Sequence, residues 1–160
     1  MTIDDVLSGA RMAFTFFIAY INTIAQEIGM EKTINALTNM CETMGPMLAQ
    51  MWKEQAGVEE IDSKGALSVL TTVIEGIGIK FEVEEDTPQR VSFKDDRCPI
   101  YEAAQIMGLD SNAIENLCRR GVARFMDTAC KQLNPNLNHE LRKFRSAPDD
   151  FCIEVITLEK

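Results

Sequence analysis

The side chains able to do chemistry are concentrated between Arg97 and Cys152, a stretch that holds Cys98, Cys118 and Cys152. Cys98 stands directly before Pro99. Proline suits the first position of a helix, so Cys98 is expected at the N-cap, with its thiol near unpaired backbone amides and Arg97 beside it. Such surroundings favour the thiolate, the form that attacks carbon or binds metal. The same position also suits a weak cap or a small buried side chain. Cys118 shares a helix face with Ile114, Val122 and Phe125, which taken alone reads as core. Cys152 opens a strand of ambiguous parity. If Phe151, Ile153 and Val155 face the helices it points away, whereas an inward Ile156 and Leu158 turn it inward. Cys41 and Cys130 read as structural.

Glu102 and His139, the single histidine, are the candidates for moving protons beside a Cys98 nucleophile. From Arg119 to Arg145 seven basic side chains stand against Asp127 and Glu140, in a chain whose net charge is −9. Arg142 and Arg145 on a strand suit a carboxylate-bearing ligand, because arginine grips a carboxylate through two parallel hydrogen bonds. The alternative is a solvated face laced by Arg124 with Asp127 and Asp127 with Lys131. Zinc on Cys98, Cys118 and Cys152, completed by His139, Glu102 or water, is a further alternative. With no C-x-x-C or H-x-x-x-H spacing, the fold alone would have to assemble it. No G-x-S-x-G elbow, Walker loop or G-x-G-x-x-G loop occurs.

The elements that must position these residues follow from periodicity. Met12, Phe16, Phe17, Tyr20, Ile21, Ile24 and Ile28 mark an amphipathic helix over Asp4 to Ile28, closed by Gly29. Ile34, Leu37, Met40, Cys41, Met44, Met47, Leu48 and Met51 mark a second helix to about Gln55, interrupted at Gly45-Pro46, where a kink is expected. Gly57 ends it, and a polar linker over Val58 to Asp62 follows. A third helix capped by Asp62 or Ser63 runs through Leu67, Leu70 and Val73 to Gly76 or Gly78. Alternation of Ile77, Ile79, Phe81 and Val83, then of Val91 and Phe93, predicts a β-hairpin. Helices follow over Ile100 to Met107 and from Asp110 or Ser111 through Ala129. Leu137 to Arg145 and Asp150 to Leu158 form a second hairpin. The fold class is α+β: one domain over 1–160, helical over 1–76 and hairpin, two helices and hairpin over 77–160, with an antiparallel sheet of about four strands.

Composition narrows the function classes. Acidic net charge disfavours nucleic acid and anionic membrane surfaces. The apolar run from Met12 to Ile21 is far short of the roughly 20 residues that span a bilayer. An acidic first segment lacks the features of a secretory signal, and five unpaired-looking cysteines suit a reducing compartment, so a cytoplasmic protein is expected. The helical methionine stripe reads as core, or as the lining of a cavity for apolar ligands between the second helix and the sheet.

At Cys98-Pro-Ile-Tyr-Glu-Ala-Ala, with Gly-Leu-Asp, Leu-Cys, Asn-Pro-Asn-Leu and Asp-Asp-Phe-Cys after it, the chain resembles the L-2-amino-thiazoline-4-carboxylic acid hydrolase-like family. The resemblance implies hydrolytic opening of a small, carboxylated, cyclic C–N substrate, with Cys98, Cys118 and Cys152 as its cysteine-centred motif. Family members often carry Gly-Asp before the last cysteine, where this chain has Pro-Asp-Asp-Phe. The element order also resembles the 4-vinyl reductase type of ligand-binding domain, related to haem-NO-binding and vesicle-tethering folds, which implies small-molecule or zinc binding without chemistry. A homodimer through a sheet edge or helix face is compatible with either.

Overall fold

The computed structural model describes residues 2–57 and 61–159; positions 58–60 of the expected linker lie outside them. Helix α1 (Ile3–Ile28) opens on a capping box: the Thr2 hydroxyl accepts from the Asp5 amide at 3.2 Å and the Asp5 carboxylate from the Thr2 amide at 2.8 Å. Gly29, at φ +90°, lets the chain turn straight into α2 (Met30–Ala56), which Gly57 closes in the left-handed conformation. Helix α3 (Ser63–Gly76) is capped by Asp62, whose carboxylate accepts from the Gly65 amide at 2.8 Å. Gly78 follows at φ +81°, where an added Cβ would lie 2.5 Å from the Leu7 Cα. Only glycine permits both that conformation and that approach.

Hairpin β1 (Phe81–Asp86) and β2 (Arg90–Asp95) precedes α4 (Pro99–Ile106), α5 (Ser111–Leu117) and α6 (Ala123–Leu133), and the chain ends in β3 (Leu137–Lys143) and β4 (Cys152–Leu158). The strands form one antiparallel sheet in the order β1-β2-β4-β3. The expected α+β architecture is present, and among the described residues no helix is long and apolar enough to cross a membrane.

Three expectations are corrected. Helix α2 continues through Pro46 rather than breaking there. Gly45 serves an interhelical contact: an added Cβ would lie 2.6 Å from the Phe125 carbonyl oxygen and closer still to the Thr128 hydroxyl. The single helix expected from Asp110 or Ser111 through Ala129 is divided by a π-helical turn, Cys118–Val122, at which Gly121 is pressed against Leu37. Such turns admit one extra residue per turn and re-aim the side chains beyond them. Finally, Met12, Phe16 and Tyr20 are exposed (65, 74 and 64%), as are Met40, Met47 and Met51. Helix α1 is apolar on more than one face, and the three-four series that packs inward is Leu7, Phe14, Ile18 and Ile21.

Two cores result. One joins the later half of α2 with α3, α6 and the inner face of the sheet, through Trp52, Leu70, Phe93, Met126 and Ile156. The other joins α1 and the earlier half of α2 to α4 and α5, through Ile18, Ile34, Ile100 and Leu117. Phe125 packs against both. Because α2 and α6 meet backbone to backbone at Gly45, a β-branched side chain there must push the helices apart. Gly45→Val is expected to lower unfolding free energy by about 1–3 kcal/mol, read from the urea midpoint.

Candidate functional site

Between the two cores lies a cavity of about 400 Å³. Most of its wall is apolar, with Phe14, Leu37, Trp52, Ile74, Phe93 and Phe125 drawn from both cores. Its ionisable groups come from places far apart in the chain: Cys41 on α2, Asp95 at the end of β2, Cys98 at the N-cap of α4, Tyr101 on α4, Cys118 at the π turn, and Cys152 and Glu154 on β4. Sheet register explains the strand members. Asp95 is paired with Cys152 and Phe93 with Glu154, so all four side chains share the inward face. This settles the parity of Cys152: it turns inward with Glu154 and Ile156.

The three cysteines expected to matter thus line one cavity, and all five cysteines are free thiols. Their electrostatics differ from the sequence expectation. Cys98 is the N-cap of α4, and the amides of Ile100 and Tyr101 favour its thiolate. Burial outweighs them, aided by the Asp95 carboxylate, and pushes the thiol up to about 12. Burial also pushes Cys118 well up, with Cys98 and Cys152 adding to it. Cys152 is raised by burial and then by Asp95, while the Arg145 guanidinium beside it pulls the other way. At neutral pH these are protonated, weakly polar thiols. Among the described residues no three His, Cys, Asp or Glu side chains are arranged to hold a metal ion, so the three-thiol zinc alternative has no ligand set here.

Arg145 does not reach the cavity wall. It is 1% exposed, lies 4.8 Å over the Tyr101 ring, and donates to the Asp96 carbonyl at 2.8 Å and to the Asp95 carbonyl and carboxylate at 3.0 Å. Its Nε has no hydrogen-bond partner among the described residues. Asp95 is pushed up to about 7, first by burial and next by the Glu154 carboxylate, with Arg145 opposing both. Glu154 in turn holds the His139 Nε2 at 2.6 Å. The histidine side chain is sealed from solvent, its Nδ1 has no partner among the described residues, and its backbone amide donates to Asp127.

The remaining expected residues lie elsewhere. Glu102 accepts from Arg11 at 2.9 Å and Arg97 at 3.2 Å on the outer side of α4. Arg142 is exposed beside Glu140. His139 borders a second, more open depression with Arg119, Arg124 and Asp127. Nor is the basic segment a free anion site: Arg119 pairs with Glu115, Arg120 with Glu31, Arg124 with Glu42 and Asp127, Lys131 with Asp127 and Lys143 with Asp150. Periodicity in the sequence missed Asp95, Tyr101 and Glu154. The signal for the two carboxylates was available, since Val91, Phe93 and Asp95 alternate, as do Cys152, Glu154 and Ile156.

A helical layer over a four-stranded antiparallel sheet, with an apolar cavity between them, defines an α+β fold class. A solved structure of similar fold is the trafficking protein particle complex subunit 3 from Naegleria fowleri, described as covalently bound to palmitic acid. Its TM-score is 0.67 at 13% identity, covering 95% of this chain and 96% of that one. No match is found among curated proteins. The family model for L-2-amino-thiazoline-4-carboxylic acid hydrolase matches residues 9–152, and the chain belongs to that family.

Burial of the Cys98 sulfur has a direct chemical consequence. Iodoacetamide at pH 7.5 is expected to alkylate Cys98 at least about 100-fold more slowly than a free thiol, measured by peptide mass mapping of the native protein.

Proposed function

We propose that this member of the family binds an elongated, largely apolar small molecule in the cavity between its two cores, with the molecule's polar end among Asp95, Cys98, Cys118, Cys152 and Glu154. The observation that carries this reading is the wall itself: about 400 Å³, apolar over most of its lining, with its carboxylates and three of its four thiols gathered at the junction of β2, β4, α4 and the π turn. That volume falls within the roughly 300–1,000 Å³ of small-molecule sites. Desolvating an alkyl chain supplies the affinity, at about 0.8 kcal/mol for each buried CH₂. The palmitic acid named for the structure of similar fold is a molecule of this shape.

Trp52, the single tryptophan, lines the cavity and reports on its contents. Titration with dodecanol is expected to change Trp52 fluorescence saturably, and Ala123→Phe, which fills the wall from α6, is expected to weaken binding at least tenfold. An unchanged signal in the wild-type protein, or equal affinity in a folded Ala123→Phe variant, overturns the reading.

Membership of the family supports a second reading: hydrolysis of a small carboxylated cyclic C–N compound, with its C–N group at the same polar end and its carboxylate turned away from Asp95 and Glu154. Protonated thiols at Cys98 and Cys118 do not favour thiolate attack. Glu154 is better placed to accept a proton from water, with His139 positioning it from behind the wall. Glu154→Gln is then expected to lower ring opening of 2-amino-thiazoline-4-carboxylate at least about 100-fold, followed by chromatography of substrate and product. Undiminished turnover in a folded Glu154→Gln protein, or none in the wild type, excludes this role.

A further inference from the structure

We infer that the cavity selects ligands whose polar end is an amine or amidine, and discriminates against carboxylates, because its wall presents the Asp95 and Glu154 carboxylates and no lysine, arginine or histidine among the described residues. The inference rests on the cavity being a ligand site and specifies the chemistry of the ligand's polar end.

Geometry makes the two acids a pair. Asp95 is opposite Cys152 in the β2–β4 register and Glu154 lies two residues further along β4, so the carboxylates are diagonal neighbours on one face of adjacent strands. Each is held by a single side chain from the side away from the ligand. Arg145 engages Asp95 Oδ2 at 3.0 Å and His139 engages Glu154 Oε2 at 2.6 Å. Among the described residues neither Asp95 Oδ1 nor Glu154 Oε1 receives a hydrogen bond, although the Asp95 side chain is only 6% exposed. Both oxygens are acceptors left for something that enters the cavity. An ammonium has three N–H donors and an amidinium carries its donors in a plane that matches two carboxylate oxygens.

The nearest cation stands behind this wall. Arg145 is the one acting directly on Asp95; its Nη donors are directed to Asp95 and to the Asp95 and Asp96 carbonyls, beneath the Tyr101 ring, and it lies beside the Cys152 thiol. The groups facing Asp95 are otherwise Glu154, Asp96, Cys98, Cys118 and Cys152, each of which is acidic or a thiol. A ligand carboxylate at this end would be a third one confined with two others. A ligand cation would offset both the burial and the Glu154 repulsion that raise Asp95. This reverses the sequence expectation of a carboxylate gripped by Arg142 or Arg145. The expectation followed local net charge, and the fold has already spent that charge on protein acids.

The direction of the pH effect follows. Asp95 is pushed up to about 7, so it is mostly protonated at pH 6 and mostly ionised at pH 8. An alkylammonium, charged at both values, gains an anionic partner between them. Binding of the cation draws Asp95 toward its ionised form, so a proton is released on binding near pH 7.

The test compares dodecylamine, dodecanol and dodecanoate, each below its micellar concentration, by Trp52 fluorescence of the full chain in about 150 mM salt, which screens attraction to the acidic surface. At pH 8 the amine is expected to bind at least tenfold more tightly than the alcohol, and dodecanoate more weakly than either. The amine's advantage over the alcohol is expected to shrink at pH 6 and to be largely lost in Glu154→Gln, whose fold is checked independently by its circular dichroism and urea midpoint. Dodecanoate binding as tightly as the amine, or an amine advantage unchanged in both Glu154→Gln and Asp95→Asn, overturns the inference. Alcohol binding without any amine preference overturns it alone and leaves the cavity reading standing, whereas binding of none of the three overturns both.

Discussion

The buried guanidinium of Arg145 constrains the site more than any other single group. It stands just beyond β3, yet its donors reach the carbonyls of Asp95 and Asp96 and the Asp95 carboxylate at the end of β2, and its plane covers Tyr101 on α4. One side chain therefore fixes where β2 stops, where α4 starts and where the loop before β4 passes. Taking an arginine out of water is costly, and the cost is met here by three hydrogen bonds and an aromatic face. Removing one member of such a buried pair typically destabilises by about 3–5 kcal/mol, because the other charge stays behind unpaired. Lysine would not substitute, since a single ammonium lacks the fork that reaches two carbonyls and a carboxylate together.

This clamp sets the electrostatic character of the cavity from outside it. By occupying Arg145, the protein holds Asp95 at the wall without presenting a cation there. His139 does the same for Glu154 from the β3 side. The thiols then lie in a region that is poorly hydrated and bordered by acids, both of which oppose ionisation. Helix-terminus activation of Cys98 is real in direction and too small in size. The capping amides act on one side of the sulfur, whereas loss of water acts on all of it.

Much of the fold was legible in the sequence, because its elements are punctuated. Glycines at 29, 57 and 108, aspartates at 62 and 110 and the proline at 99 sit at helix ends in the structure, and the two alternating runs hold the two strands of the first hairpin. Less legible was which face of a helix is buried. Met12, Phe16 and Tyr20 obey helical spacing as well as Leu7, Phe14, Ile18 and Ile21 do, and periodicity alone does not rank two apolar faces of one helix. The parity of Cys152 left the convergence of Cys98, Cys118 and Cys152 open, and only their standing as candidates was anticipated. Their chemical state was not, since it depends on neighbours from four elements that are distant in sequence. The basic segment misled for a related reason: its partners Glu31, Glu42, Asp95 and Asp150 lie largely outside the window in which the charge was counted.

Placing the cavity at the seam of two cores also bears on how the molecule comes apart. Side chains that line a cavity have protein partners on one side only, so the seam holds the two cores together less than packed contact would. Phe125, which packs against both cores, crosses it, and α2 runs through both. An occupant would supply van der Waals contacts to both walls at once, and the two cores would then tend to melt as one cooperative unit instead of two. Ligand capture and the unity of the fold would in that sense be the same event.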